Sequence, residues 1–537
     1  MQSQEDAQPR RRRARTALKV AGIVSVAAIG SVAFAAVSNS SAQTAPQSPS
    51  TSGLAWGPCP TGAPAPQQCA ELEVPLDYRA QAPESRNIKI EVSRIPAAKP
   101  ERRKGVLMLN GGGPGASLDV PTMFGGLLSR QIRDSYDLVA FDPRGIGHST
   151  PIDCGRQADE MIRDEQLEVL SFPTADGSID ANVAYSHRMA DQCAALSGDL
   201  LPHLTTANIA RDMDRIRATL GERTVSYYGI SWGTYLGSIY RALFPQNVDR
   251  MVIDSSVDPN ERGYEDFRLF SGAMEDRWPD LARFGVAQKD VVHLGDTEAD
   301  VRRNYLAMTA ELDRTPVTLP GTKARIDGNF IRLFTWQLSY NDHNLTATAG
   351  APVSQLASLW RAGSNLAAHK ATDEDRNYLT TVANDFINAG VLPGLPPDNL
   401  LSTGWAISCA DKAWPRDVRT YAHNTAADRA RFPLMAGAPA NVAPCSFWST
   451  QPRDAEPKVQ SVGTRNVLIL QNRRDPSTPL RAAQGMKKAM GSDAVLVEVD
   501  AGGHGVLVHP QPNSCAISAM NKYFMTGELP AGDLTCS

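Results

Sequence analysis

Residues 225–243 read VSYYGISWGTYLGSIYRAL, and the role given to Ser231 decides how the rest of the chain is read. Residues 225–230 are an apolar and aromatic run with the composition of a buried strand, and apolar groups recur at helical spacing after Gly233. Gly229 and Gly233 bracket Ser231 and let strand and helix approach closely at the turn. A strand running through Gly-x-Ser-x-Gly into a helix presents the serine hydroxyl on a strained turn, which suits a nucleophile. The motif alone arises by chance. It therefore needs a base to take the hydroxyl proton and a carboxylate to orient that base.

Both partners are available further along, each in a loop after an apolar strand. RNVLILQNRRDPSTP (465–479) places Asp475 just beyond such a strand, and DAVLVEVDAGGHG (493–505) does the same for His504 between glycines. The order Ser231, Asp475, His504 and the strand-end placement of all three predict a catalytic triad. Two competitors exist. Asp254 ends the strand in VDRMVIDSSVDP (248–259), and His509 follows in VLVHP (506–510), where capping or packing is its simpler role. An Asx-turn or helix cap is the structural alternative for Asp475, which precedes a proline.

Acyl transfer also needs donors for a developing oxyanion, each contributing roughly 3–4 kcal/mol. The backbone N–H of Trp232, following the serine, is one. The glycine loop in KGVLMLNGGGPG (104–115) supplies the other, Gly112 first and Gly113 next. That loop does not match G-x-G-x-x-G, so it gives no support for a dinucleotide cofactor.

Four strand-then-loop units, at 104–115, 136–149 (YDLVAFDPRGIGHS), 225–243 and 248–259, alternate with helical segments and predict a parallel α/β sheet. NIKIEVSRIPA (87–97) alternates with period two, as an antiparallel strand does, and LEVPLDY (72–78) is strand-like before it. From about residue 259 to 460 the chain is mainly helical, as in VRRNYLAMTAELDRT, NFIRLFTWQLSY and SQLASLWRAGSNLAAH. Strand signals then return. One α/β domain interrupted by a helical insertion of roughly 200 residues accounts for this order.

The chain has 537 residues, 42% hydrophobic and 21% charged, enough to bury a large core. Its formal net charge of -4 and the lack of a basic stripe beyond the N-terminus argue against nucleic acid as a partner. PRRRRARTALK (9–19), the apolar residues 20–37 and small-residue cleavage options near 33–35 predict a signal peptide. The apolar run could just span a bilayer, but it is rich in Ala, Gly and Ser and short of Leu, so no stable membrane insertion is expected after export.

Export gives the eight cysteines their meaning. They form no CxxC and have no accompanying His cluster, so no metal is expected. They fall into four neighbouring couples, and sequential bridging (59–69, 154–193, 409–445, 515–536) is the simplest connectivity.

GGGPG, DPRGIGHS, GISWGTYLG, RRDPSTP and GGHG together resemble the prolyl-aminopeptidase-like serine peptidases of the α/β-hydrolase superfamily. Among these the chain is most similar to the secreted bacterial tripeptidyl aminopeptidases, from about residue 54 to the end. One departure is Gly111, where the family loop often carries His. The resemblance implies a mostly parallel sheet flanked by helices, with a large, mainly helical cap inserted between the nucleophile half and the Asp/His half. The corresponding boundaries are 1–42 for signal peptide and leader, 54–258 and 461–537 for the core, and 259–460 for the cap.

It also implies a secreted, cofactor-free exopeptidase that releases tripeptides from peptides with a free N-terminus through an acyl-enzyme on Ser231. Such specificity needs an anion for the substrate ammonium. Asp411, Glu265 and Glu275 are the candidates, with Asp266 and Asp276 beside them, against the alternative of solvated surface charges. Trp405, Trp414 and Trp448 are expected as cap core, with subsite walls as the alternative. The same triad would serve a carboxylester hydrolase or another aminopeptidase of prolyl or dipeptidyl type.

Overall fold

The computed structural model describes residues 53–80, 86–156, 170–345, 353–389, 391–450, 452 and 455–537. The signal peptide and leader expected over 1–42 lie outside the described residues. β1 (Gln68–Pro75) and β2 (Asn87–Ile95) pair antiparallel, and the inward-facing Ile88, Ile90 and Val92 are the alternating apolar residues of NIKIEVSRI. β3 (Gly105–Asn110), β4 (Tyr136–Phe141), β5 (Val225–Ile230) and β6 (Val248–Asp254) follow. β7 (Val317–Thr318) and β8 (Arg325–Ile326) form a separate two-stranded ribbon. β9 (Val467–Arg474), β10 (Ala494–Gly502) and β11 (Leu534–Cys536) complete the main sheet.

That nine-stranded sheet has the order β1-β2-β4-β3-β5-β6-β9-β10-β11, and every pair from β4 to β11 is parallel. Every residue of β3 and β5 is buried, because helices cover both faces. On one face Val106 and Met108 meet helices Thr206–Thr219, Trp232–Leu243 and Leu480–Met490. On the other, Leu107 and Leu109 meet Val120–Gly125, Arg130–Ser135 and Ser514–Thr526. Parallel pairing brings the C-terminal ends of β3, β5, β6, β9 and β10 to one edge. Ligands of open α/β sheets bind at such an edge.

Between β6 and β9 the chain forms the helical cap of an α/β-hydrolase fold. Helices Tyr264–Ala287, Glu298–Arg314, Gly328–Leu338, Gln355–Ala367 and Asp373–Ala389 bury a core of their own around Trp278, Tyr305, Phe334, Trp336 and Trp360. Helix Asn399–Asp411 behaves differently. Its Leu400, Trp405 and Ile407 join the core of the sheet's first face, together with Trp414 and Trp448. The cysteines pair in sequence order, 59–69, 154–193, 409–445 and 515–536. The last pair staples the edge strand β11 to the helix before it.

Candidate active site

Ser231 sits between β5 and helix Trp232–Leu243 with φ 58° and ψ −127°, a conformation that a non-glycine residue holds only when its surroundings force it. Its N–H donates to the Asp254 carbonyl at 3.0 Å, and Thr234 Oγ1 donates to the Ser231 carbonyl at 2.6 Å. Glycine at 233 is a steric requirement: a Cβ there would lie 2.5 Å from Asn110 Oδ1. A Cβ on Gly112 would lie 2.9 Å from Ser231 Cβ and 2.6 Å from the Ile230 carbonyl, so the glycine loop runs directly against the serine.

Asp475, directly after β9, is fully buried. Its Oδ1 accepts the N–H groups of Ser477 and Thr478, each at 2.9 Å, and Oδ2 accepts Thr478 Oγ1 at 2.9 Å. The Asx-turn expected of an Asp-Pro sequence is therefore present, and it holds the carboxylate for another contact. His504 Nδ1 lies 2.9 Å from Oδ2 and 3.0 Å from Oδ1. An ionised carboxylate only accepts, so Nδ1 carries the proton and Nε2 is left as the basic nitrogen. No hydrogen bond joins His504 to Ser231 in this arrangement among the described residues, and such contacts are often long until a substrate is bound.

The two competing residues have other partners. Asp254 is fully buried and accepts the N–H groups of Val506 and Leu507, at 2.8 and 3.0 Å, and the Tyr228 hydroxyl at 2.7 Å. Burial raises its pKa against the pull of those donors. Ser255 Oγ accepts the Gly505 N–H at 2.8 Å. The end of β6 thus secures the loop that carries His504. His509 Nε2 is 3.1 Å from Asp342 in the cap, away from Ser231.

The expected oxyanion donors divide. Trp232 occupies the first position of its helix, where a backbone N–H has no partner within the helix. The Gly112 N–H instead donates to Asn110 Oδ1 at 2.9 Å. That bond competes with an oxyanion for the Gly112 N–H, whereas no such bond is made by the Gly113 N–H among the described residues.

Ser231, His504 and residues 111–115 line one cavity of about 420 Å³ beneath the cap. The walls are aromatic and aliphatic, with Phe267 stacked on Trp405 at 5.1 Å and Phe270 on Trp336 at 5.6 Å. Two cap carboxylates also face this space. Asp411 accepts the Thr206 N–H and hydroxyl, both at 2.6 Å, and forms no ion pair among the described residues; desolvation pushes its pKa up to about 6, against the pull of those donors and of the Arg262 charge. Burial pushes Asp266 up to about 6 as well, against the opposing effect of bound Arg262, whose guanidinium also lies 4.2 Å from the Tyr235 ring centroid.

Glu265 and Glu275 do not line the cavity. Glu265 is exposed beside Arg268, and Glu275 pairs with Arg302 at 2.8 Å. Helical phase explains the difference between neighbours, since Glu265 and Asp266 point about 100° apart on one helix. Arg262, Trp336 and Tyr340 line the site without any sequence signal. Each sat in an apolar or charged stretch that resembled ordinary helix. No group of side chains suited to a metal ion occurs among the described residues, and no helix among them is long and apolar enough to cross a membrane.

The sequence pattern of the family described as TAP-like protein matches residues 433–536. The tripeptidyl aminopeptidase of Streptomyces lividans is 33% identical over 496 residues, covering 90% of this chain and 87% of that protein. Serine protease Hip1 of Mycobacterium tuberculosis is 27% identical, covering 90% of each chain. A carboxylesterase B of the same organism is 29% identical, covering 88% of this chain and 86% of its own length.

Proposed function

This chain belongs to the tripeptidyl aminopeptidase family of serine hydrolases with an α/β-hydrolase fold, and from that premise we propose that it releases tripeptides from the free N-terminus of peptides through an acyl-enzyme on Ser231. The observation that carries this reading is the meeting of two features in one cavity. Ser231 and His504 line it together with a partly buried cap carboxylate, Asp411, which accepts two hydrogen bonds from Thr206 and forms no ion pair among the described residues, although the Arg262 charge reaches it. A desolvated carboxylate in that state is stabilised by an incoming ammonium.

In the proposed reaction His504 Nε2 takes the Ser231 proton as Oγ attacks the scissile carbonyl. Asp475 holds the imidazole and stabilises its charged form. The Trp232 and Gly113 N–H groups receive the oxyanion. His504 then protonates the leaving amine, and water repeats the sequence to free the tripeptide. Asp411 receives the substrate ammonium, while Arg262 already neutralises Asp266. Binding requires ionised Asp411, so KM for free-amine substrates rises as pH falls through about 6.

Export to an oxidising compartment belongs to the same proposal. Four disulfides suit it, as does the basic and apolar N-terminal sequence. A second reading, carboxylester hydrolysis, draws on the carboxylesterase relative and the apolar cavity walls, and it has no need of Asp411.

The deciding experiment compares a free-amine tripeptide anilide with its N-acetylated twin, using Ser231→Ala as the blank. Release of the tripeptide from the free-amine form alone supports the exopeptidase. Equal rates on both, or cleavage of simple esters alone, would remove the ammonium site and favour the esterase.

A further inference from the structure

The cap does more than cover the triad, because one of its turns is bonded to both the acid loop and the base loop. Helix Gly328–Leu338 ends beside them, and three hydrogen bonds from its last turn and the residues just after it reach the catalytic loops. Trp336 Nε1 donates to the Pro476 carbonyl at 3.2 Å. The Tyr340 hydroxyl is hydrogen-bonded to Ser477 Oγ, two residues from Asp475. The Tyr340 carbonyl accepts the backbone N–H of His504 at 2.8 Å, and its ring stands edge-on to the imidazole with centroids 4.8 Å apart. Gly503 adopts φ 88°, and a Cβ there would lie 2.8 Å from the Tyr340 carbonyl oxygen, so the approach is steric as well as polar.

A charged clamp holds this turn in place. Arg277 donates from Nε to the Ser339 carbonyl at 3.2 Å and pairs with Asp280 and Asp342. Asp280 also pairs with Arg474, the residue before Asp475, at 2.8 Å, and Asp342 meets His509 in the base loop at 3.1 Å. Neither the acid loop nor the base loop therefore takes its position from the sheet alone.

We propose that Tyr340 is a positioning residue of the cap that holds His504 against Asp475, so that an organised base depends on a seated cap. The proposal rests on the Ser231–His504–Asp475 assignment above but not on the identity of the substrate. It predicts that loss of the ring slows Ser231 chemistry without weakening binding. A cavity wall would do the opposite.

The test measures the rate at which a small fluorophosphonate labels Ser231, alongside kcat and KM for the free-amine tripeptide anilide. Tyr340→Leu is expected to lower labelling and kcat together by about ten- to thirtyfold, with KM within about twofold, because small misplacements of a base are costly. Tyr340→Phe keeps the ring and carbonyl and should restore most of that loss, leaving a deficit of about two- to fivefold. Ser477→Ala should show the same deficit, and the double variant no more than either single, since both remove one bond.

Wild-type labelling in Tyr340→Leu, or a rise in KM with kcat unchanged, would overturn the proposal. Should the leucine variant not fold, the Tyr340→Phe and Ser477→Ala pair decides it, and additive losses or none would count against it. Failure to cleave any peptide while labelling still responds would refute the substrate reading and leave this one standing.

Discussion

Asp254 and Asp475 end neighbouring parallel strands, β6 and β9, and both carboxylates are fully buried. One binds an imidazole; the other binds two backbone N–H groups and a tyrosine hydroxyl. Residue type, burial and layer are the same, so none of them makes a catalytic acid. The difference lies in the loop that meets each carboxylate. Asp475 lies in reach of His504 itself, whereas Asp254 receives the chain two and three residues beyond it. On the proposed triad, the sheet uses one aspartate to orient the base and the next to hold the base's loop.

Substitution separates the two roles, and the largest effect is expected at Asp475. Asp475→Asn keeps the shape but presents the imidazole with the wrong hydrogen-bond partner, and kcat should fall about 10⁴-fold with an unchanged melting temperature. Asp254→Asn places an amide donor among N–H donors. It should cost about 2–4 kcal/mol of stability and reduce kcat only about tenfold, as read from thermal unfolding and steady-state rates.

Asp411 extends the comparison to a third carboxylate, partly buried, that meets neither an imidazole nor a set of loop N–H groups. Asp411→Asn should raise KM for free-amine tripeptide anilides about tenfold or more and leave the acetylated form unaffected. The smallest effect is on the pH dependence of stability. Burial raises Asp142, Asp266 and Asp411 from 3.8 to about 6, so the folded chain holds protons that the unfolded chain has released. Their contribution to stability falls as pH rises between about 4 and 6.

Asp77 and Asp342 act in the opposite sense. Arg79 holds Asp77 at about 2, and hydrogen bonds from His509 and Arg277 hold Asp342 at about 2 despite its burial. The stability these two contribute is present at pH 5 and lost only on further acidification. The melting temperature should therefore be higher at pH 5 than at pH 7.5, by about 2–4 °C.

These carboxylates also mark what the sequence reveals. The meeting of Asp475 with His504 was legible because each follows an apolar strand within a few residues, in the strand-end loops of a parallel sheet. The tight strand-to-helix turn at Ser231 was legible because such a turn leaves its own glycine pattern. The cysteine couples were close enough in sequence to pair with their neighbours.

What stayed hidden depends on which way a side chain turns. Gly112 and Gly113 are alike in sequence, and only the direction of the Asn110 side chain gives the Gly112 N–H a partner. Glu265 and Asp266 are adjacent acids on one helix, and only the packed cap decides which faces the cavity. Tyr340 lies in the turn after an apolar helix that reads as core, and its carbonyl contact with His504 leaves no trace in any residue pattern. Trp405, expected as cap core or subsite wall, joins the core of the sheet and walls the cavity, and only the packed fold decides between such roles.

The most direct test of the central claim is fluorophosphonate labelling of Ser231, followed by intact mass, in the wild type, Asp475→Asn and Asp254→Asn under native conditions at pH 7.5. The account predicts rapid single labelling of the wild type, labelling of Asp254→Asn at a moderately reduced rate, and almost none of Asp475→Asn while that variant remains folded. Brisk labelling of folded Asp475→Asn, with loss of labelling in folded Asp254→Asn, would contradict it and move the acid to the end of β6.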